Sequence, residues 1–536
     1  MATQSFPIYI SMLLGLLAIL SLYGSGSCSF DTNFSIEEAT LKDFQLAFYQ
    51  NKLTSRQLVE FYLEQVRRLN PILKGIIEVN PDALNQASQA DLKRKRSSLR
   101  SLSPLHGIPV LVKDNIATKD KLNTTAGSFA LLGSIVPRDA GVVTKLRKAG
   151  AIIFGKASLS EWSGFRSYEP PNGWSARGGQ GKTSNIRVKS TIDEEQRICL
   201  QNPYTMGEPC GSSSGSAISV AANMVTVSLG TETDGSILCP STLNSVVGIK
   251  PTVGLTSRAG VVPISLRQDT VGPICRTVAD AAYVLDAIAG ADRYDNSTIE
   301  ASKYIPRGGY GQFLRAEGLK GKRIGIVRKL YDFGHDDVFY IGAFEKVFKT
   351  LKQGGAILVD NLTINRFDVI TGSSSGEWTA LLAEFKISLN AYLKQLVASP
   401  IRSLSDAIEF NKKNSKLEKL REYGQELFLE AEATKGIGGA EKAALARLAK
   451  LSKEGFERLM IKNKLDAIAA PGRLISPFLA IGGFPGVSVP AGYNPQGLPF
   501  GIGFGGLKGF DPRLIEIAYG FEHLTMGRKS PSLGRH

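Results

Sequence analysis

The sequence has few of the residues on which most metal sites and histidine-based catalytic sites depend. Its 536 residues include 5 cysteines and 4 histidines. No Cys-x-x-Cys pair occurs, and the histidines show no metal-ligand spacing. We therefore expect no zinc or CxxC redox site. A disulfide between two of the cysteines stays open, because spacing alone indicates no pairing.

Long apolar runs are also scarce. The one long run, Pro7 to Tyr23, lies near the N-terminus and is followed by the small residues Gly24 to Cys28. This pattern predicts a secretory signal peptide over residues 1–28, with an uncleaved membrane anchor as the alternative. Asn-x-Ser/Thr sequences are compatible with a glycoprotein. They begin at Asn33, Asn123, Asn296 and Asn361.

Acidic residues are outnumbered, with 49 Asp and Glu against 64 Lys and Arg, a formal net charge of +15. The excess is dispersed, and the one dense basic run, Lys93 to Arg96, has no aromatic residues between its charges. That run is typical of a solvated helix end or loop, so no nucleic-acid partner is predicted. Disorder is excluded because 43% of the residues are hydrophobic.

Short apolar runs separated by glycine predict buried strands, for example at 108–112, 151–154 and 225–229. Residues 142–150 have the pattern of a helix between two such strands, which indicates an α/β fold. Residues 35–70 have helical spacing, and we expect Pro71 to end that helix. Further helices are expected over 378–465 and at the C-terminus, where Asp511 is the predicted N-cap.

Two serine- and glycine-rich segments carry the chemistry. Cys210 to Ser216 leads into a helical stretch, and such a helix start presents free N–H groups beside hydroxyls. Gly230 to Ile237 follows an apolar run and offers successive backbone N–H groups beside Ser236. A nucleophile next to adjacent amides is what acyl transfer requires. Taken alone, the first segment is equally typical of an N-cap and a tight turn.

A serine nucleophile needs a base, and no histidine is suitably placed in the sequence. Lys113 ends the apolar run Pro109 to Val112, which would carry its ammonium group into the interior. Desolvation lowers the pKa of a lysine, and a neutral lysine can accept a proton. Taken alone, Lys113 is equally typical of a surface lysine at the end of a strand.

Together these residues resemble the amidase signature family. The resemblance spans roughly residues 35–530, and its motifs occur in the family's order. They are Leu105 to Asn115, Gly155 to Glu161, Gly211 to Gly215, Gly230 to Ser236, Val246 to Pro251, Ser257 to Pro263, Asp269 to Pro273, Phe484 to Pro490 and Pro499 to Ile502. The form of the Gly230 segment is closest to bacterial peptide amidases and secreted plant amidases.

The resemblance implies a Ser–cis-Ser–Lys triad. Lys113 corresponds to the base, Ser212 to the bridging serine that follows a cis peptide bond, and Ser236 to the nucleophile. The oxyanion hole would consist of backbone N–H groups, and the neighbouring Ser213 would support the triad from behind. Those N–H groups belong to Thr233, Asp234, Gly235 and Ser236.

The sequence departs from the family pattern at several positions. Cys210, Ser214 and Asp234 replace glycines, and Leu238 replaces a frequent arginine. Residues 183–201 have the character of an inserted loop just before the serine cluster. Its many charged side chains predict a surface position near the mouth of the active site.

The resemblance further implies one large α/β/α domain, residues 29–536, around a mixed, mostly parallel β-sheet. The implied activity is hydrolysis of a linear carboxylic amide without metal or organic cofactor, on a small-molecule or lipid amide. No obligate protein partner is expected, and a homodimer stays open. One alternative is a non-catalytic amidase-like binding protein. The other is the amidase-type component of a tRNA-dependent amidotransferase, which the apolar N-terminal run disfavours. A secreted protein is expected.

Overall fold

A computed structural model of the chain describes residues 34–97, 102–183, 208–333 and 338–531. The predicted signal segment lies outside these ranges, and so does the predicted insertion except for Thr183. Thr183 is buried, whereas a surface position was expected for the insertion. Within the described ranges, no helix is long and apolar enough to cross a membrane.

The strands form one large sheet and one small hairpin. In chain order they are β1 Ile76–Val79, β2 Pro109–Lys113, β3 Ile152–Ala157, β4 Trp174–Ser175, β5 Gly179–Gln180, β6 Val227–Glu232, β7 Val247–Lys250, β8 Thr270–Cys275, β9 Arg323–Ile326, β10 Ile357–Val359, β11 Ala467–Pro471, β12 Gly486–Tyr493 and β13 Pro499–Gly505. The 11-stranded sheet has the order β1-β3-β2-β6-β8-β7-β12-β13-β11-β9-β10, and β4 pairs with β5.

The α-helices include the predicted ones at 142–150 and in the long stretch after 378. They are α1 Leu41–Tyr49, α2 Ser55–Leu73, α3 Ala83–Arg96, α4 Gly141–Lys148, α5 Ser214–Ala221, α6 Leu238–Leu243, α7 Val278–Ile288, α8 Ser297–Ala301, α9 Val338–Gln353, α10 Phe367–Thr371, α11 Glu377–Gln395, α12 Leu404–Lys413, α13 Leu420–Tyr423, α14 Glu426–Ala433, α15 Gly439–Ser452, α16 Arg458–Lys462, α17 Ser476–Gly482 and α18 Asp511–Thr525. The basic run at 93–96 forms the last turn of α3, where positive side chains are favoured by the helix dipole.

The sheet is covered on both faces, as an α/β/α architecture requires. Along β11, Ala467 and Ala469 belong to one buried apolar cluster, whereas Ile468 and Ala470 belong to another. Because successive side chains of a strand point to opposite faces, both faces of β11 are packed against other elements. This confirms the predicted fold class.

The expectation of a mostly parallel sheet is wrong. Six of the ten neighbouring strand pairs are antiparallel, and they include the whole run from β6 to β11. Antiparallel neighbours need only a turn between them, as at residues 494–498 between β12 and β13, whereas parallel neighbours need a crossover. The strand–helix–strand pattern that the sequence shows around α4 is a parallel crossover between β2 and β3. It does not extend to the centre of the sheet, where neighbouring strands are antiparallel.

Two predicted helix boundaries are also wrong. Pro71 does not end α2, which continues to Leu73 and ends at Lys74 in the left-handed conformation. A proline so close to the end of a helix costs one hydrogen bond without breaking the last turn. Asp511 is the first residue of α18 and not its N-cap, and its carboxylate accepts hydrogen bonds from Thr252.

Candidate active site

The sheet brings Lys113 and the loop that carries Ser236 together at the carboxyl ends of two parallel strands. Lys113 is the last residue of β2, and Glu232 is the last residue of the parallel neighbour β6. The carboxyl ends of parallel strands lie on the same side of a sheet, which is where α/β proteins usually place their ligands. Lys113 and the loop 233–236 are neighbours for this reason.

Lys113 is fully buried and bonded to the bridging serine. Its Nζ donates to Ser212 Oγ over 2.7 Å, to Thr231 Oγ1 over 2.9 Å and to the Thr231 carbonyl over 3.2 Å. Burial lowers the pKa of Lys113 to about 7, and the carboxylates of Asp269 and Glu232 partly oppose that shift. A lysine with this pKa is present as a neutral amine in a large fraction of molecules at neutral pH.

The serine segment is held at several points. The Gly211–Ser212 peptide bond is cis, as the resemblance implied. The carbonyl of Ser212 accepts from the Ser160 N–H over 3.0 Å. The backbone N–H of Ser213 donates to the Ser236 carbonyl over 3.2 Å, and Ser213 Oγ bonds to the main chain of Thr231. Ser213 therefore links the serine cluster to the segment that carries Ser236.

Ser236 faces a cavity of about 400 Å³, together with Thr233 and Asp234. Within the described part of the chain, the N–H groups of residues 233–236 enter no backbone hydrogen bond and stay free for a ligand. Gly235 has φ of +76°, a conformation that favours glycine. Ser212 Oγ accepts a hydrogen bond from Lys113, and among the described residues no hydrogen bond joins it to the Ser236 hydroxyl.

Three residues that the sequence reasoning did not single out position the loop. Glu232 accepts from the N–H groups of Ile237 over 2.6 Å and Leu238 over 2.9 Å, which anchors the start of α6 directly after Ser236. Asp269 accepts from Thr233 Oγ1 over 2.6 Å. Thr231 is the third, through its contacts with Lys113. All three stand inside the quoted motifs, so motif membership was the available signal. The partners of Thr231 and Asp269 are distant in sequence, whereas those of Glu232 are its near neighbours.

A disulfide joins the same two segments. Cys210 and Cys239 are bonded across 29 residues of sequence, so each lies close to one of the predicted catalytic serines. Asn244 Nδ2 also donates to the Pro209 carbonyl over 2.9 Å. Cys210 has φ of +54° at a position where the family pattern has glycine. The sequence had left the pairing of the cysteines open.

The described histidines do not contact this site. His106 is buried, with its Nε2 3.0 Å from the Ala90 carbonyl, and burial lowers its pKa. His523 belongs to α18 and lines a different cavity. His335 and His536 lie outside the described residues. In the same described ranges, no group of His, Cys, Asp and Glu is placed to hold a metal ion.

Comparison with known proteins gives the family. The Amidase family model matches residues 57–480, which is most of the chain. The chain belongs to the amidase signature family. The resemblance read from its motifs is thereby confirmed, and the family's reaction class, hydrolysis of amides, is supported for this chain.

Individual amidases are similar over almost the whole length. An Arabidopsis thaliana protein described as a probable amidase is 56% identical and covers 97% of each chain. The native peptide amidase of Stenotrophomonas maltophilia is 40% identical, covers 92% of this chain and 98% of its own, and superposes with a TM-score of 0.82. An amidase family protein of Bacillus anthracis is 31% identical, covers 97% of each chain and has a TM-score of 0.83.

Proposed function

We propose that this protein hydrolyses a linear carboxylic amide through an acyl-enzyme on Ser236, with Ser212 and Lys113 as the proton relay. The observation that carries the proposal is the contact between the buried Lys113 Nζ and Ser212 Oγ at 2.7 Å. A surface lysine would stay charged, whereas this lysine is desolvated and bonded to a hydroxyl beside the loop that carries Ser236.

In the first step, Ser236 Oγ attacks the carbonyl carbon of the amide. Its proton moves to Ser212 Oγ while the proton of Ser212 moves to the neutral Nζ of Lys113. The N–H groups of residues 233–236 stabilise the negative charge that develops on the carbonyl oxygen. When the C–N bond breaks, the relay returns the proton to the leaving nitrogen, which departs as ammonia or an amine.

In the second step, water attacks the acyl-enzyme and gives its proton to the relay. The ester bond to Ser236 breaks, the carboxylic acid leaves, and Ser236 recovers its proton. The chain's own side chains provide every proton transfer in this cycle.

Amides at the C-terminus of peptides are the substrate class that we favour. The support is the similarity to the peptide amidase of Stenotrophomonas maltophilia, at 40% identity. The cavity beside Ser236 also has apolar walls from Phe165, Trp378 and Leu381, which suit a peptide side chain better than unsubstituted small amides.

Covalent labelling with a fluorophosphonate probe tests the proposal. We expect one adduct, which mass spectrometry locates on Ser236, and none in the Ser236→Ala variant. Ser216→Ala is the matched control, because this buried serine bonds to the Leu229 carbonyl and lies outside the triad; it should label normally. Labelling at a residue other than Ser236 would refute the assignment of the nucleophile.

A further inference from the structure

The cavity beside Ser236 has an acidic wall with no cation in contact with it. Asp234 and Glu377, the first residue of α11, both line the cavity. In the part of the chain that the structure describes, neither carboxylate has a Lys, Arg or His nitrogen within 4.0 Å. By contrast Glu384, about two helical turns further along α11, is paired with Arg267. Burial raises the pKa of Glu377 to about 7, and repulsion from the carboxylate of Asp234 adds to this shift.

The nearby cations are engaged elsewhere or too distant to neutralise this wall. Arg267 donates to Glu384 through Nε over 3.0 Å and through Nη2 over 3.1 Å. Lys250 Nζ donates to the Phe484 carbonyl over 2.6 Å. Burial raises the pKa of Asp234, and the hydrogen bond from Ser476 and the longer-range fields of Lys250 and Arg473 oppose that shift only in part. In the described part of the chain no cation pairs with either carboxylate, so a cationic group that enters the cavity would stabilise their ionised forms.

Gln268 lies behind the acidic wall and is not among the residues that line the cavity. Gln268 has no exposed surface, and its Nε2 donates to Glu377 Oε1 over 2.7 Å and to the Thr233 carbonyl over 3.4 Å. Its Oε1 has no hydrogen-bond partner among the described residues. The neutral amide of Gln268 holds Glu377 in place and brings no positive charge to it.

Aromatic rings complete the cavity on the side next to Glu377. Phe165 and Trp378 are stacked with ring centroids 5.8 Å apart and an interplanar angle of 28°, and both line the cavity. The faces of aromatic rings attract cations, most strongly for tryptophan. Two carboxylates and a tryptophan ring together suit a planar guanidinium or an ammonium group.

Building on the proposed function, we infer that the preferred substrate carries a positive charge next to the amide that is cleaved, as in the amide of an arginine or lysine residue. Asp234 and Glu377 select the charge, while the aliphatic stem of such a side chain packs on the apolar wall. Glu377 acts as a specificity residue, because it is part of the cavity and takes no part in the proton relay.

Binding to the Ser236→Ala variant tests this inference without depending on turnover. N-acetyl-arginine amide is compared by calorimetry with N-acetyl-citrulline amide, which has nearly the same shape and no charge. A charged hydrogen-bonded contact predicts a Kd about tenfold or more lower for the arginine compound. In Ser236→Ala combined with Glu377→Gln this ratio should fall towards one. An equal or weaker affinity for the arginine compound would overturn the inference.

Turnover by the otherwise unchanged enzyme provides the second measurement. The ratio of kcat/KM for the two compounds should favour arginine and fall in Glu377→Gln. Glu409→Gln is the matched control, because it makes the same replacement at an exposed carboxylate that is paired with Lys412 on the surface. The ratio for this variant should equal that of the unchanged enzyme. An enzyme that is labelled on Ser236 and has equal kcat/KM for the two compounds would refute the charge preference alone. Absence of labelling on Ser236 would refute the proposed function.

Discussion

At the scale of single residues, the environment of Lys113 determines whether the proposed chemistry can proceed at neutral pH. Complete burial destabilises the charged form, and Asp269 and Glu232 stabilise it from further away. Thr231 and Ser212 hold the amine in place through hydrogen bonds that either protonation state can form. The resulting pKa of about 7 is close to the value that general acid–base catalysis favours.

Activity should depend on pH through this lysine. Lys113 accepts a proton only when neutral, so kcat/KM should rise as pH increases through about 7 and level off in mildly alkaline conditions. The measurement is a pH–rate profile on one amide. A profile that falls over the same range would show that the catalytic group must be protonated.

Substitutions in the relay should follow a fixed order. Ser212→Ala and Lys113→Ala should each lower kcat about 10²- to 10⁴-fold, the usual value of general-base assistance, with Lys113→Ala at least as damaging. Lys113→Arg should not restore activity, because arginine stays charged. His106→Ala is the control, and its chemistry should be largely intact. Loss of probe labelling in His106→Ala together with normal labelling in Lys113→Ala would contradict the relay.

At the scale of elements, the site depends on two segments that are joined in two ways. Ser213 links them by hydrogen bonds, and the Cys210–Cys239 disulfide connects α6 to the residues before Ser212. Within the second segment, Glu232 anchors the start of α6 to the end of β6. The disulfide closes a loop that contains both serines, so it limits the freedom of both in the unfolded chain. Cys275 is a free, buried thiol.

Removing the disulfide should destabilise the protein and loosen the site. For a loop of this size the chain-entropy relation gives about 3 to 4 kcal/mol, so Cys210→Ser with Cys239→Ser should lower the free energy of unfolding by about that amount. Denaturant titration measures the loss, and kcat should fall more than KM changes. A thiol reductant should destabilise the unchanged protein and Cys275→Ala but not the double variant. Equal sensitivity of the double variant to reductant would refute this role.

At the scale of the whole molecule, we propose that the chain enters the secretory pathway. The apolar run Pro7 to Tyr23 motivates the proposal, and the Cys210–Cys239 disulfide supports it because such bonds persist in oxidising compartments. An uncleaved anchor is the competing outcome.

Expression in a eukaryotic secretory host tests this routing. The protein should appear in the medium with an N-terminus near residue 28, and glycosidase treatment should lower its mass. A variant without residues 7–23 should stay in the cells and serves as the control. Recovery of the unchanged chain in the cytosol with residues 1–28 still attached would refute secretion.

The sequence by itself determined the family, the α/β class and the identity of the proposed nucleophile, bridging serine and base. These follow from local order, because each glycine, serine or lysine motif is a short run of residues that can be read without its distant partners. The strand runs before Lys113 and before the Gly230 segment were readable for the same reason, since each strand is a short apolar stretch that ends at a polar residue.

Only the tertiary structure decided how these pieces meet. The adjacency of β2 and β6, the antiparallel centre of the sheet and the pairing of Cys210 with Cys239 depend on contacts between residues far apart in the chain. Glu377 reaches the cavity from α11, well over a hundred residues after Ser236, and no local pattern marks it. Packing against α14 and α15 brings α11 there, so the charge of the cavity is a property of the fold and not of any motif.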